Sequence, residues 1–93
     1  MIIAVDYDGT LSLDGKPNTA LIARLKQEQM RGSVVILWTC RCGKSLIEAV
    51  NQLRKWEFVP NYVNANCPQA IRMFGGDTRK VYADVYIDDK NAR

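Results

Sequence analysis

Ninety-three residues, 47% hydrophobic and 25% charged, suit one ordinary globular domain near the lower end of what a single apolar core sustains, spanning 1–93 with no room for a cofactor-sized second domain. The net charge of +3 excludes no class of partner by itself. The apolar start is far too short to cross a bilayer and has no basic flank or small-residue cleavage site, so the expectation is a cytoplasmic chain, without membrane association, that begins at Met1.

The cysteines, Cys40, Cys42 and Cys67, are odd in number, which predicts reduced thiols carried as small, semi-buried side chains. With no histidine in the chain, neither a structural zinc site nor a base-activated cysteine nucleophile is expected.

In chain order, Ile2-Ile3-Ala4-Val5 is apolar at every position and runs into Asp6-Tyr7-Asp8-Gly9-Thr10. Such a run predicts a buried parallel strand emerging into a loop, and open α/β sheets bind their ligands at those carboxyl ends. Asp-Gly is also an ordinary turn, which accounts for Asp8-Gly9 but not for Asp6, a charge at the end of a buried strand that needs a cation or strong donor nearby. A polar loop follows from Ser12 to Pro17, with a second turn signal at Asp14-Gly15.

Asn18 is a helix cap for a segment reaching about Arg31, with Leu21, Ile22, Leu25 and Met30 as its inward face and Gly32 as its stop. Ser33 to Thr39 reads as a second central strand, because Val34-Val35-Ile36-Leu37-Trp38 is apolar throughout. A second helix is predicted from about Ser45 to Trp56, turning Leu46, Ile47, Val50 and Leu53 inward. Tyr62-Val63 marks a short strand, placed at an edge by the upstream Pro60. Pro68 opens a short helix through Phe74 that Gly75-Gly76 ends, and Val85-Tyr86-Ile87 is the last strand, terminating in Asp88-Asp89.

Strands alternating with helices imply right-handed crossovers, a parallel sheet and helices on both faces. The fold class is therefore α/β, a small Rossmann-like three-layer sandwich whose four main strands stand in the order 4-1-2-3 when counted along the chain. In that sheet Asp6 with Asp8, Thr39, and Asp88 with Asp89 all reach one edge. Four carboxylates gathered there repel one another unless a divalent cation bridges them, and an all-oxygen set favours Mg2+. Asp84 precedes its strand and belongs to the opposite end.

In these motifs the chain resembles the haloacid dehalogenase superfamily of phosphotransferases. Its four signatures are matched in order by Asp6-Tyr7-Asp8-Gly9-Thr10, by Thr39 after an apolar strand, by Lys80, and by Asp88-Asp89 after Val85-Tyr86-Ile87. The resemblance implies a magnesium-dependent phosphatase in which Asp6 attacks phosphorus and Asp8 is the general acid and base. It places the metal on the Asp6 carboxylate, the Asp8 main-chain carbonyl, Asp88 and Asp89, and the phosphate on Thr39 and Lys80. Arg79 is an alternative to Lys80, and Arg41 a secondary phosphate contact with a bidentate fork, or else a cap on the nearby loop.

The intervals between motifs leave no space for the cap domain that small-metabolite relatives carry; the only candidate cover is the loop Leu11 to Pro17. Capless relatives tend to act on larger phosphorylated molecules or to borrow cover from a second subunit, so a nucleotide, a nucleic-acid end and a homo-oligomer are all compatible with this chain. The phosphatase part of polynucleotide kinases is the nearest comparison. Setting aside the candidate site residues Asp6, Asp8, Asp88, Asp89 and Lys80, twelve basic residues face six acidic ones, a balance that attracts anionic ligands. The alternative is a non-catalytic phosphate- or magnesium-binding regulatory module that retains the same site.

Overall fold

The computed structural model describes residues 1–64 and 82–88. The expected helix from Pro68 to Phe74, together with Cys67, Arg79, Lys80 and Asp89, lies outside those residues.

Strand β1 (Ile2–Val5) is buried at all four positions, as a strand covered on both faces must be. It pairs in parallel with β4 (Val34–Leu37) on one side and β6 (Val85–Ile87) on the other, while β5 (Tyr62–Val63) adds to the far edge of β4. The sheet order β5-β4-β1-β6 is the expected order of the four main strands, with Tyr62-Val63 at an edge.

The loop expected from Ser12 to Pro17 is more ordered than its polarity suggests. It forms a small antiparallel hairpin of β2 (Ser12–Leu13) and β3 (Lys16–Pro17). Asp14 and Gly15 both have positive φ, 53° and 80°, the geometry of the two-residue hairpin turn that Asp-Gly favours.

Helix α1 (Thr19–Met30) is capped by Asn18, whose side chain accepts from the Leu21 amide and donates to the Thr10 carbonyl. It ends before Gly32, whose φ of 95° suits glycine. Helix α2 (Gly43–Lys55) carries Arg54 and Lys55 in its last turn, opposite in sign to the negative end of the helix dipole.

Both helices pack on one sheet face, where Ile22 and Leu25 of α1 and Ala49 and Leu53 of α2 join Ile3, Val5, Val35 and Leu37. Two successive crossovers in the same direction, from β1 to β4 and from β4 to β5, carry both helices over this face. On the other face Ile2, Ala4 and Ile36 are buried with Ala83.

Three expectations are corrected. Met30 is 87% exposed and Ile47 61% exposed, so neither joins the inward face assigned to it. In α2 the buried stripe runs through Ala49 and Leu53, flanked by Leu46 and Val50, and Ile47 is rotated off it at about 100° per residue. Cys40 and Cys42 are free as expected but exposed rather than semi-buried, because both sit in the loop between β4 and α2.

Candidate functional site

The site is assembled by the strand ends. The Asp6 amide donates to the Ile87 carbonyl at 3.0 Å, and the register that pairs Val5 with Ile87 sets Asp6 and Asp88 on neighbouring ends. From β1 the chain passes through α1 to β4 on one side, while β6 lies on the other. Such a reversal of strand order opens the crevice that open α/β sheets use for ligands. Asp6 and Asp88 are each half-buried there and line one small cavity with Trp38, Cys40, Tyr86 and Ile87.

The turn after β1 is closed by its own backbone. The Tyr7 carbonyl accepts from the Thr10 and Ser12 amides at 3.2 and 2.9 Å, and the Gly9 amide donates to the Ser12 carbonyl at 2.9 Å. Gly9 takes a φ of 76° that few other residues tolerate. The Tyr7 amide donates to Asp6 Oδ1 at 2.7 Å, fixing one oxygen of the carboxylate. Thr10 is 2% exposed, and its hydroxyl has no hydrogen-bond partner among the described residues.

Thr39 follows β4, as expected, and its position depends on a residue the sequence did not single out. Asn64, in the left-handed region at φ 49°, accepts from the Thr39 amide through Oδ1 at 2.8 Å and donates its own amide to the Leu37 carbonyl at 2.7 Å. Asn tolerates this conformation better than most residues. An Asn two positions after a predicted strand start carries no signal of its own; only the β4–β5 pairing brings it to Thr39.

Arg41 stands on Asp8. Its Nε and Nη2 donate to Asp8 Oδ2 and Oδ1, both at 2.8 Å, while Nη1 reaches the Ser45 carbonyl at 3.2 Å. The guanidinium also lies over the Tyr7 ring, 4.8 Å from its centroid, and the Tyr7 ring in turn stacks on Trp56 at 6.4 Å. The hydrogen bonds from Arg41 hold the Asp8 carboxyl below its ordinary value against the opposing effect of desolvation, with the charge of Arg41 assisting. The guanidinium fork thus rests on the Asp8 carboxylate and its third nitrogen on the Ser45 carbonyl, in keeping with the loop-capping alternative for Arg41.

Beside Asp8 and Arg41 lies a cleft of about 470 Å3 between the β2–β3 hairpin and α2, bounded also by Ser12, Asp14, Glu48 and Gln52. Asp84, set apart from the site on sequence grounds, is at the other end of the sheet, where its Oδ2 accepts from the Ile2 amide at 2.7 Å.

Among the described residues no group of three or more acidic, cysteine or histidine side chains forms a metal cage. Two carboxylates on adjacent strand ends, Asp6 and Asp88, are nonetheless hard oxygen donors of the kind Mg2+ takes, since that ion keeps several waters and needs few protein ligands. The donor set fits the ion.

Fold and site together define a small parallel α/β protein with paired acids at the reversal of its sheet. No protein-family model and no curated protein matches the chain. It is similar to the solved structure of a conserved protein from Bacteroides thetaiotaomicron, at 33% identity and a TM-score of 0.83 over 98% of this chain and 77% of that one. The chain belongs to the family of that conserved protein. The haloacid dehalogenase resemblance rests on the motifs alone. No helix among the described residues is long and apolar enough to cross a membrane.

Proposed function

We propose that the chain is a magnesium-dependent phosphomonoesterase working through an aspartyl-phosphate on Asp6. The observation that carries this reading is the parallel pairing of β1 with β6, which sets Asp6 beside Asp88 although they stand at opposite ends of the chain. Asp6, with one oxygen held by the Tyr7 amide, attacks phosphorus in line. As the Asp6–phosphorus bond forms, the bond to the ester oxygen breaks, and that oxygen leaves as an alcohol with a proton from Asp8. Asp8 then takes a proton from water, whose oxygen attacks phosphorus and releases phosphate, restoring Asp6.

The Asp6 carboxylate, the Asp8 carbonyl, Asp88 and Asp89 would hold Mg2+, which would supply charge neutralisation for the approach of an anionic nucleophile to an anionic ester. Thr39, positioned by Asn64, and Lys80 hold the remaining phosphoryl oxygens. Arg41 must leave Asp8 before Asp8 can carry a proton, and an incoming phosphate is a competing bidentate acceptor for its fork.

The same ion pair favours a second reading, a phosphate- or magnesium-binding module without turnover, in which Arg41 keeps Asp8 permanently ionised. Purified protein with magnesium and p-nitrophenyl phosphate decides between them. Hydrolysis that Asp6→Asn abolishes, with the fold retained by circular dichroism, supports the enzyme. Phosphate binding without hydrolysis supports the module.

A further inference from the structure

The cleft beside Asp8 is where the alcohol half of a substrate must lie if Asp8 protonates the leaving oxygen, and its walls state what that half can be. Among the described residues its charged side chains are Asp8, Asp14, Glu48 and Arg41, three acids against one base. That base is held by Asp8 through two hydrogen bonds of 2.8 Å in the resting fold, and in the turnover proposed above its fork passes to the transferred phosphate, so it serves no second one. Ser12 and Gln52 complete the polar lining, so the cleft offers several hydrogen-bond acceptors to hydroxyl donors.

Among the described residues it offers no platform for a base or aryl ring. Tyr7, the aromatic residue of the cleft, is 4% exposed, with Arg41 over its ring and Trp56 stacked on it. A second phosphate would meet Asp14 and Glu48, with no further cation among the described residues that line the cleft, and such like-charge contacts strongly disfavour a partner.

Resting on the phosphatase reading, we infer that this cleft selects phosphomonoesters of small, neutral, hydroxyl-rich alcohols and rejects esters whose alcohol half carries a nucleobase or a second phosphate. Glu48 and Gln52 stand four residues apart on α2, spacing that puts both on one helix face, where they can take adjacent hydroxyls. The basic balance of the rest of the chain draws phosphate towards the protein; the cleft then discriminates by what is attached to it.

The test measures kcat/KM of the full chain with magnesium for glucose monophosphate, glucose bisphosphate, adenosine monophosphate and p-nitrophenyl phosphate. Glucose monophosphate is expected to exceed both the bisphosphate and the nucleotide by about tenfold or more, the scale on which like-charge contacts discriminate. Glu48→Lys is expected to narrow or invert the preference over the bisphosphate. Binding of the same ligands to Asp6→Asn, measured by calorimetry, is expected to follow the same order. If p-nitrophenyl phosphate is hydrolysed but the bisphosphate or nucleotide equals or exceeds glucose monophosphate, the cleft inference is overturned and the phosphatase reading stands. If no ester is hydrolysed, that reading falls and the inference with it.

Discussion

Arg41 grips Asp8 through both carboxylate oxygens, at 2.8 Å each, across 33 positions of sequence. The pair holds the turn after β1 against the loop after β4. Its side chains are 59% exposed for Asp8 and 30% for Arg41, so solvent screening limits what it contributes.

The Asp8 carboxyl is held below its ordinary value in the fold. Its contribution is present above the unfolded-state pKa and is lost as the pH falls through the carboxylate range. In Arg41→Gln the Asp8 titration, followed by NMR, should therefore move upward. The stability change at neutral pH should stay within about 1 kcal/mol and shrink as salt is added. An unmoved Asp8 titration would mean that the two groups are not paired in solution.

Magnesium should raise the melting temperature at neutral pH by binding the native state preferentially. At about one hundred times its dissociation constant a ligand adds about 2.7 kcal/mol, on the order of ten degrees for a domain of this size. Asp88→Asn should reduce that rise and, with Asp89→Asn added, remove it while the fold persists. A double variant with an undiminished response would place the ion elsewhere.

Asn64→Ala removes the acceptor for the Thr39 amide and puts a β-carbon without a compensating side-chain bond at φ 49°. Thermal or urea melts should show a loss of about 1–3 kcal/mol, the sum of one hydrogen bond and one left-handed residue. Asn64→Gly, which keeps the conformation and loses only the bond, should lie between. Equal losses in both variants would assign the whole effect to the hydrogen bond.

Asp84→Ala should cost about 1 kcal/mol, the value of one backbone amide left without its acceptor, and should leave the magnesium-dependent melting shift unchanged. A reduced shift would tie Asp84 to the metal, against its place at the far end of the sheet.

The two apolar positions of α2 that look alike in sequence should separate under substitution. Leu53→Ala, at a position with no exposure, should cost about 2–5 kcal/mol. Ile47→Ala, at 61% exposure, should stay within about 0.5 kcal/mol. Comparable losses would put Ile47 against a partner surface.

Much of this protein could be read from its residues taken in order. The unbroken apolar run Ile2–Val5 required a strand covered on both faces, Asn18 and Gly32 marked the two ends of α1, and Pro60 put Tyr62–Val63 at an edge. These signals are local, because backbone sterics and the side chain's own hydrogen bonds settle them within a few residues. Met30 and Ile47 were misplaced for the complementary reason: an apolar residue at helical spacing says it can be buried, and only the angle at which the helix meets the sheet says whether it is.

The acids at the two ends of the chain, the order of the strands and the resemblance they support were all legible in the amino-acid sequence. The grip of Arg41 on Asp8, the seat that Asn64 makes for Thr39 and the acceptor-lined cleft beside them were decided by tertiary structure alone. Each joins groups tens of positions apart in the chain, and hydrogen-bond geometry and electrostatic contact depend on distances that only the packed sheet and its crossovers set.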